Sequence, residues 1–164
     1  MDDQDLFTDP RLTAMGLLFE AHEGLVAKLQ PTWKARGLSP LDLNALLRLS
    51  RSAEQRLRLG DLAAQTWLST SGVTRLVDRL ERAGLARRES SPNDRRSTYA
   101  VLTEAGAQRL QDALPDYIEA VDRWFTSLLT PEQLDGLLTG LRIIRDAVHP
   151  EADAQTHTTP KPGV

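Results

Sequence analysis

Apolar positions along this chain recur mostly at spacings of three and four. Met15, Leu18, Phe19, His22, Leu25, Val26, Leu29 and Trp33 fall on one side of a long helix over roughly residues 12–36, stopping before Gly37. Ser39 and Pro40 then supply a cap hydroxyl and a first-turn proline, and Leu43, Leu46 and Leu47 the buried stripe of a second helix. The rhythm breaks at "RLRL" around Arg58 and Leu59, which is long enough for a single extended bridge, and Gly60-Asp61 opens a brief helix. Ser69 caps a longer one with Val73, Leu76, Val77 and Leu80 inside and Gly84 as its left-handed stop. Two short helices joined by a tight turn are a helix-turn-helix. The strand-like runs Leu85–Glu89 and Ser97–Leu102 flank "SSPNDRR", whose Pro92, Asn93 and Asp94 are turn formers, so a hairpin follows with arginines at its tip. Thr103 caps another long helix with a stripe from Leu110 to Leu128, in which Pro115 is expected to introduce a bend. Thr130-Pro131-Glu132-Gln133 is a capping box, and the helix it starts runs through Leu141 and Ile144 to a stop at Pro150.

The expected fold is mainly α: a winged helix-turn-helix, with a short hairpin as wing, plus N- and C-terminal dimerisation helices. The divisions are a disordered arm over 1–11, an N-terminal dimerisation helix over 12–36, the winged unit over 37–102, C-terminal dimerisation helices over 103–149 and a disordered tail over 150–164. The outer helices carry more apolar side chains than so small a unit buries alone, so they are expected to form a bundle completed by a second copy of the chain.

Composition narrows the chemistry. With 164 residues, 40% of them hydrophobic and 26% charged, the chain suits one compact domain or two small ones. There is no cysteine, which excludes disulfides, thiolate metal sites, thiol nucleophiles and thiol redox sensing. No apolar run reaches eighteen residues, and the acidic opening "MDDQDLFTDPR" lacks a signal peptide's basic flank and apolar stretch, so a cytoplasmic protein is expected. No nucleophile elbow or phosphate loop occurs, and the histidines, at 22, 149 and 157, have neither catalytic nor metal-ligand spacing. An enzyme is not expected, nor any cofactor or metal.

The net charge of −3 conceals a division that matters more. From Arg48 to Arg96 there are eleven arginines against six carboxylates, a balance of +5, while the rest of the chain stands at −8. A basic middle between acidic ends fits one nucleic-acid face and a self-associating remainder. On the helix from Ser69, the residues opposite the apolar stripe include Thr70, Ser71, Thr74, Arg75 and Arg79. Short hydroxyl side chains with Gly72 let a helix approach the major groove, and arginines reach bases or phosphates. Arg75 is the candidate for base or phosphate contact, and Arg79 for phosphate; the competing reading pairs each with Asp78 or Glu81. Arg95 and Arg96 at the hairpin tip suit a narrow minor groove, with Asp94 as a brace or as a turn residue bonding its own backbone. The alternative function is a winged-helix protein-interaction module, which would be expected to expose apolar or aromatic anchors where this sequence has Ser, Thr, Asn and Arg.

The stretch "GDLAAQTWLSTSGVTRLVDRLERAGLARRESSPNDRRSTYAVLTEAGAQRL" resembles the winged core of the MarR family of bacterial transcriptional regulators. "VTRLVDRLERAGLARR", "DRR" and "LTEAG" stand in the family's order and spacing, and the flanking helices extend the likeness over about residues 12–148. The resemblance implies a homodimer bound to a palindromic operator in double-stranded DNA, commonly as a repressor. It places Ser69, Thr70, Ser71, Thr74 and Arg75 toward the major groove, Arg79 toward the backbone, and Arg95 or Arg96 in the wing with Asp94 as brace. It also implies possible release by a small phenolic or anionic ligand between the dimer helices and the winged lobe, where Phe19, His22 and Trp33 could line a cleft.

Overall fold

The computed structural model describes residues 7–90 and 97–153. Helix α1 spans Pro10–Lys34, starting ahead of the apolar pattern because Asp9 caps it, accepting from the Arg11 amide at 2.8 Å, and Pro10 fits its first turn. Helix α2 spans Pro40–Arg51, and its Ser39 cap is half of a reciprocal box. The Ser39 hydroxyl accepts from the Asp42 amide at 3.1 Å, and the Asp42 carboxylate accepts from the Ser39 amide at 2.9 Å. Strand β1 (Arg56–Arg58), helix α3 (Leu59–Gln65) and helix α4 (Thr70–Arg82) follow, then β2 (Ala86–Ser90), β3 (Thr98–Leu102), α5 (Glu104–Trp124) and α6 (Pro131–Val148). The caps expected at Ser69, Thr103 and Thr130 all accept from the third residue onward. Helix α5 runs on through Pro115.

The sheet is antiparallel in the order β1-β3-β2. Where the sequence suggests a single bridge at Arg58–Leu59, three residues pair: Arg56, Leu57 and Arg58 lie opposite Val101, Ala100 and Tyr99. Leu57 is what holds this edge down, since it is buried together with Ala100 on the inner face.

The core belongs to the middle of the chain. Leu46 and Leu49 from α2, Leu57 from β1, Leu62 from α3 and Val73, Leu76, Val77 and Leu80 from α4 are all buried to within 2% of full enclosure. Each such side chain contributes about 1.5–3 kcal/mol over an exposed one. Gly84, at φ +71, ends α4 and turns the chain into β2. Gly106, in the first turn of α5, is needed for a different reason: a Cβ there would lie 2.0 Å from the Leu85 carbonyl oxygen.

The outer helices are different. Helix α1 buries Trp33 alone and α6 buries nothing, while Leu12, Phe19, Ile118, Ile143, Ile144 and Val148 stand exposed. Helix α1 packs along α5, with Trp33 and Tyr117 ring centroids 6.1 Å apart and an Arg36–Asp116 ion pair at 3.0 Å. The tail does not fray at Pro150 as its composition suggests: Pro150–Asp153 forms a 3-10 turn against α3, held by contacts from His149 and Arg48.

Candidate nucleic-acid interface

Helix α4 presents its polar side to solvent because the opposite stripe is consumed by the core. Ser69, Thr70, Ser71, Thr74, Arg75 and Arg79 are all exposed. The Ser69 hydroxyl accepts from the Gly72 amide at 3.1 Å and lies 3.1 Å from the Ser71 hydroxyl, so the cap orders the first turn. The Thr74 hydroxyl donates to the Thr70 carbonyl at 2.8 Å. The Arg75 side chain has no hydrogen bond or ion pair among the described residues. It stands near the middle of the helix, exposed, with its donors unspent on the described residues.

The neighbouring arginines are occupied. Arg79 donates from Nε and Nη2 to one Asp42 oxygen, at 3.0 and 2.6 Å, and the other Asp42 oxygen accepts from Ser39. One buried carboxylate thus caps α2 and fixes Arg79 of α4, while the Arg79 side chain stays about half exposed, at 48%. The pairing with Asp78 or Glu81 considered for Arg79 is made instead by Arg88 of β2. Its guanidinium meets Glu81, lies 2.7 Å from Asp78 and donates to the Thr74 carbonyl at 3.2 Å, while its amide donates to Glu81 at 2.8 Å. These bonds clamp the helix to the sheet. Sequence reasoning missed both Asp42 and Arg88. The "SPLD" run does spell a cap, but neither long-range pairing has a local signature. On the outer face of the sheet the Arg56 and Arg58 guanidiniums lie 5.0 and 5.8 Å from the Tyr99 ring centre. The wing tip with Asp94, Arg95 and Arg96 lies outside the described residues.

Behind this face, a cavity of about 580 Å³ opens between α1, α2 and the end of α6. Its lining includes His22, Trp33 and Tyr117 on one side and Arg48, Arg51 and Arg145 on the other. Phe19 does not line it within one chain; it lies on the exposed apolar side of α1. Burial, and then the neighbouring Arg51, push the Arg48 guanidinium down from its ordinary value, and burial pushes the Tyr117 phenol up. Arg145 is paired with Asp146 at 2.7 Å, so Arg48 and Arg51 are the cationic groups that an anion in the cavity would relieve, and the tilted Trp33 and Tyr117 rings, with planes at 48°, add apolar surface. Among the described residues no cluster of His, Asp and Glu could hold a metal ion, and no helix is long and apolar enough to cross a membrane.

Comparison with known proteins places this geometry. The family model described as MarR family matches residues 36–97. The chain is 30% identical over 129 residues to the HTH-type transcriptional regulator MhqR of Bacillus subtilis, a match covering 78% of this chain and 86% of that one. Among solved structures it resembles AbsC, a MarR family transcriptional regulator from Streptomyces coelicolor, with a TM-score of 0.81 and 34% identity over 87% of this chain and 96% of the other. It likewise resembles Sco3205 from the same organism, a MarR family regulator solved in complex with DNA, with a TM-score of 0.79 and 31% identity over 88% and 91% of the two chains.

Proposed function

The chain belongs to the MarR family of transcriptional regulators, and from that membership we propose that it acts as a homodimer occupying a palindromic operator in double-stranded DNA, as a cytoplasmic repressor. The observation that carries the reading is the outer face of α4: small hydroxyls around Arg75, which has no partner among the described residues, on a helix clamped from both sides by Asp42–Arg79 and Glu81–Arg88. A clamped helix presents its groove-facing donors at little ordering cost, and a free arginine is what bidentate recognition of guanine requires. Ser69, Thr70, Ser71 and Thr74 allow close approach. Arg79, braced by Asp42, meets a phosphate, and Arg95 or Arg96 enters the adjacent minor groove with Asp94 as brace. The DNA held by Sco3205 supports this reading over a protein-binding winged module, as does the absence of apolar anchors on the outward face of α4.

The exposed apolar faces of α1, α5 and α6 are the surfaces that a second copy covers. Two lobes on one two-fold axis demand an inverted repeat with half-site centres about 10 bp apart, or a small multiple of a helical turn. The cavity receives a small phenolic or anionic effector, an aromatic acid suiting its arginines and rings, and filling it releases the DNA.

Fluorescence anisotropy on duplexes from the region upstream of the protein's own coding sequence and on a scrambled control, across a salt series, tests this reading. Two protomers per site, sequence dependence and a steep salt slope are expected. Equal weak binding to both duplexes, followed by failure to enrich any sequence from a random pool, would count against it.

A further inference from the structure

The joint between the dimerisation helices and the helix-turn-helix is built in an unusual way. Helix α6 buries no side chain in its own chain, yet the residues just past its end grip the lobe. The His149 Nε2 bonds the Ala64 carbonyl at 2.7 Å, and its ring stands edge-on to the Trp67 indole, with centroids 4.3 Å apart and planes at 80°. Two residues beyond Pro150, the Ala152 carbonyl accepts from Arg48 at 3.1 Å, and the same Arg48 nitrogen donates to Gln65 at 3.2 Å. The three lobe residues touched, Ala64, Trp67 and Arg48, lie at the end of α3, in the turn before α4 and on α2.

The seam is slight as well as specific. Trp67, at φ +56, is the left-handed residue that stops α3, directly before the segment that caps α4, so the His149 ring rests on the hinge of the turn. The Gln65 Nε2 is buried without a hydrogen-bond partner. The docking itself is slight: one side-chain hydrogen bond from His149, one from Arg48 and a single ring contact hold the segment to the lobe, so a second, undocked arrangement lies close in free energy. We propose that the segment His149–Asp153 is a latch: docked, it holds the turn before the recognition helix to the end of α6, and undocked, it frees that turn, so that movement of the dimerisation helices is transmitted to the DNA-reading face. Arg48 joins the latch to the cavity, because an anion taken up there competes with the Ala152 carbonyl and Gln65 for the same guanidinium. This last clause alone rests on the cavity reading given above.

Hydrogen exchange tests the latch on the whole protein. The Trp67 and Leu68 amides donate to the Ala64 and Ala63 carbonyls at 3.2 and 2.9 Å and report on the turn. His149→Ala should speed their exchange by about tenfold while amides in the middle of α4 and the oligomeric mass stay unchanged. Trp67→Gly, which suits the backbone and so keeps the fold, should in turn speed exchange at Ala152, whose amide bonds the His149 carbonyl at 3.1 Å, because coupling is reciprocal. Unchanged exchange at these positions in both variants would overturn the proposal. Millimolar benzoate that speeds the Trp67 and Leu68 amides in the unaltered protein but adds nothing in His149→Ala ties the latch to the cavity. Benzoate without effect, with both variants loosened, removes the cavity reading and leaves the latch standing.

Discussion

The winged lobe and the outer helices are written in the same code and folded to different ends. Both carry apolar residues at helical spacing, yet in α2 and α4 the stripe vanishes into a core, whereas in α6 an equally regular stripe leaves Leu137, Ile144 and Val148 at 40%, 51% and 63% exposure. Periodicity fixes which side of a helix seeks apolar company; it does not say whether that company is the same chain or another. The lobe closes on itself because a sheet, two glycines, the helix caps and a set of partly buried ion pairs bring α2, α3, α4 and the start of α5 together. The outer helices have no third layer of their own, and their apolar surface forms a face.

Breaking the outer face is the strongest way to separate the two regions. Ile144→Asp puts a charge in the middle of the α6 stripe, where the residue is half open to water in the single chain but would be buried against a second copy. Light scattering should show half the native mass, and operator affinity should fall about 10²–10⁴-fold as the two half-sites lose their linkage. Circular dichroism of the lobe should remain near native. Retention of the dimer mass would place the interface on another face.

Gly106→Ala makes the opposite cut. The added methyl would meet the Leu85 carbonyl oxygen at 2.0 Å, a backbone atom that cannot rotate away, so α5 must shift off the lobe. A loss of about 3 kcal/mol is expected, or roughly 6–12 °C in Tm, with the assembled mass preserved at low temperature. A calorimetric scan with Tm unmoved would mean that the helix start is looser than this packing implies.

The elements were legible in the sequence to different depths. Ser69, Thr103 and Thr130 declare their helices because a cap is a local contract between a side chain and an amide three residues on. The edge strand at Arg56–Arg58 is under-read because three residues carry too little alternation to show a strand, and its pairing partner lies more than forty positions away. The folded turn at Pro150–Asp153 contradicts its polar composition because two side chains, His149 and Arg48, supply what the segment lacks in apolar residues. In the candidate interface the outward residues of α4 follow from helical geometry alone. The clamps from Asp42 and Arg88 depend on tertiary proximity, and nothing local announces them.

The sharpest form of the comparison lies within α4, between two arginines one turn apart. Arg79 spends its donors on the buried Asp42 carboxylate, whereas Arg75 spends none on the described residues. Arg79→Ala leaves that carboxylate with only its Ser39 bonds, so folding stability should fall by about 1–2 kcal/mol, a range discounted because the guanidinium is half exposed. The loss of a phosphate contact should weaken operator and random DNA alike and lower the salt slope. Arg75→Ala should leave the denaturation midpoint within about 0.5 kcal/mol of native, since its removal orphans nothing. Its effect should appear as lost discrimination, about 1–3 kcal/mol per half-site, confined to one base position. Urea titration and competition binding on the same pair of variants read both quantities. If Arg75→Ala weakens all sequences equally, Arg75 is a phosphate contact and base reading passes to the hydroxyls of the first turn; if Arg79→Ala is neutral for stability, the Asp42 pair is a surface contact and the recognition helix is held by Arg88 alone.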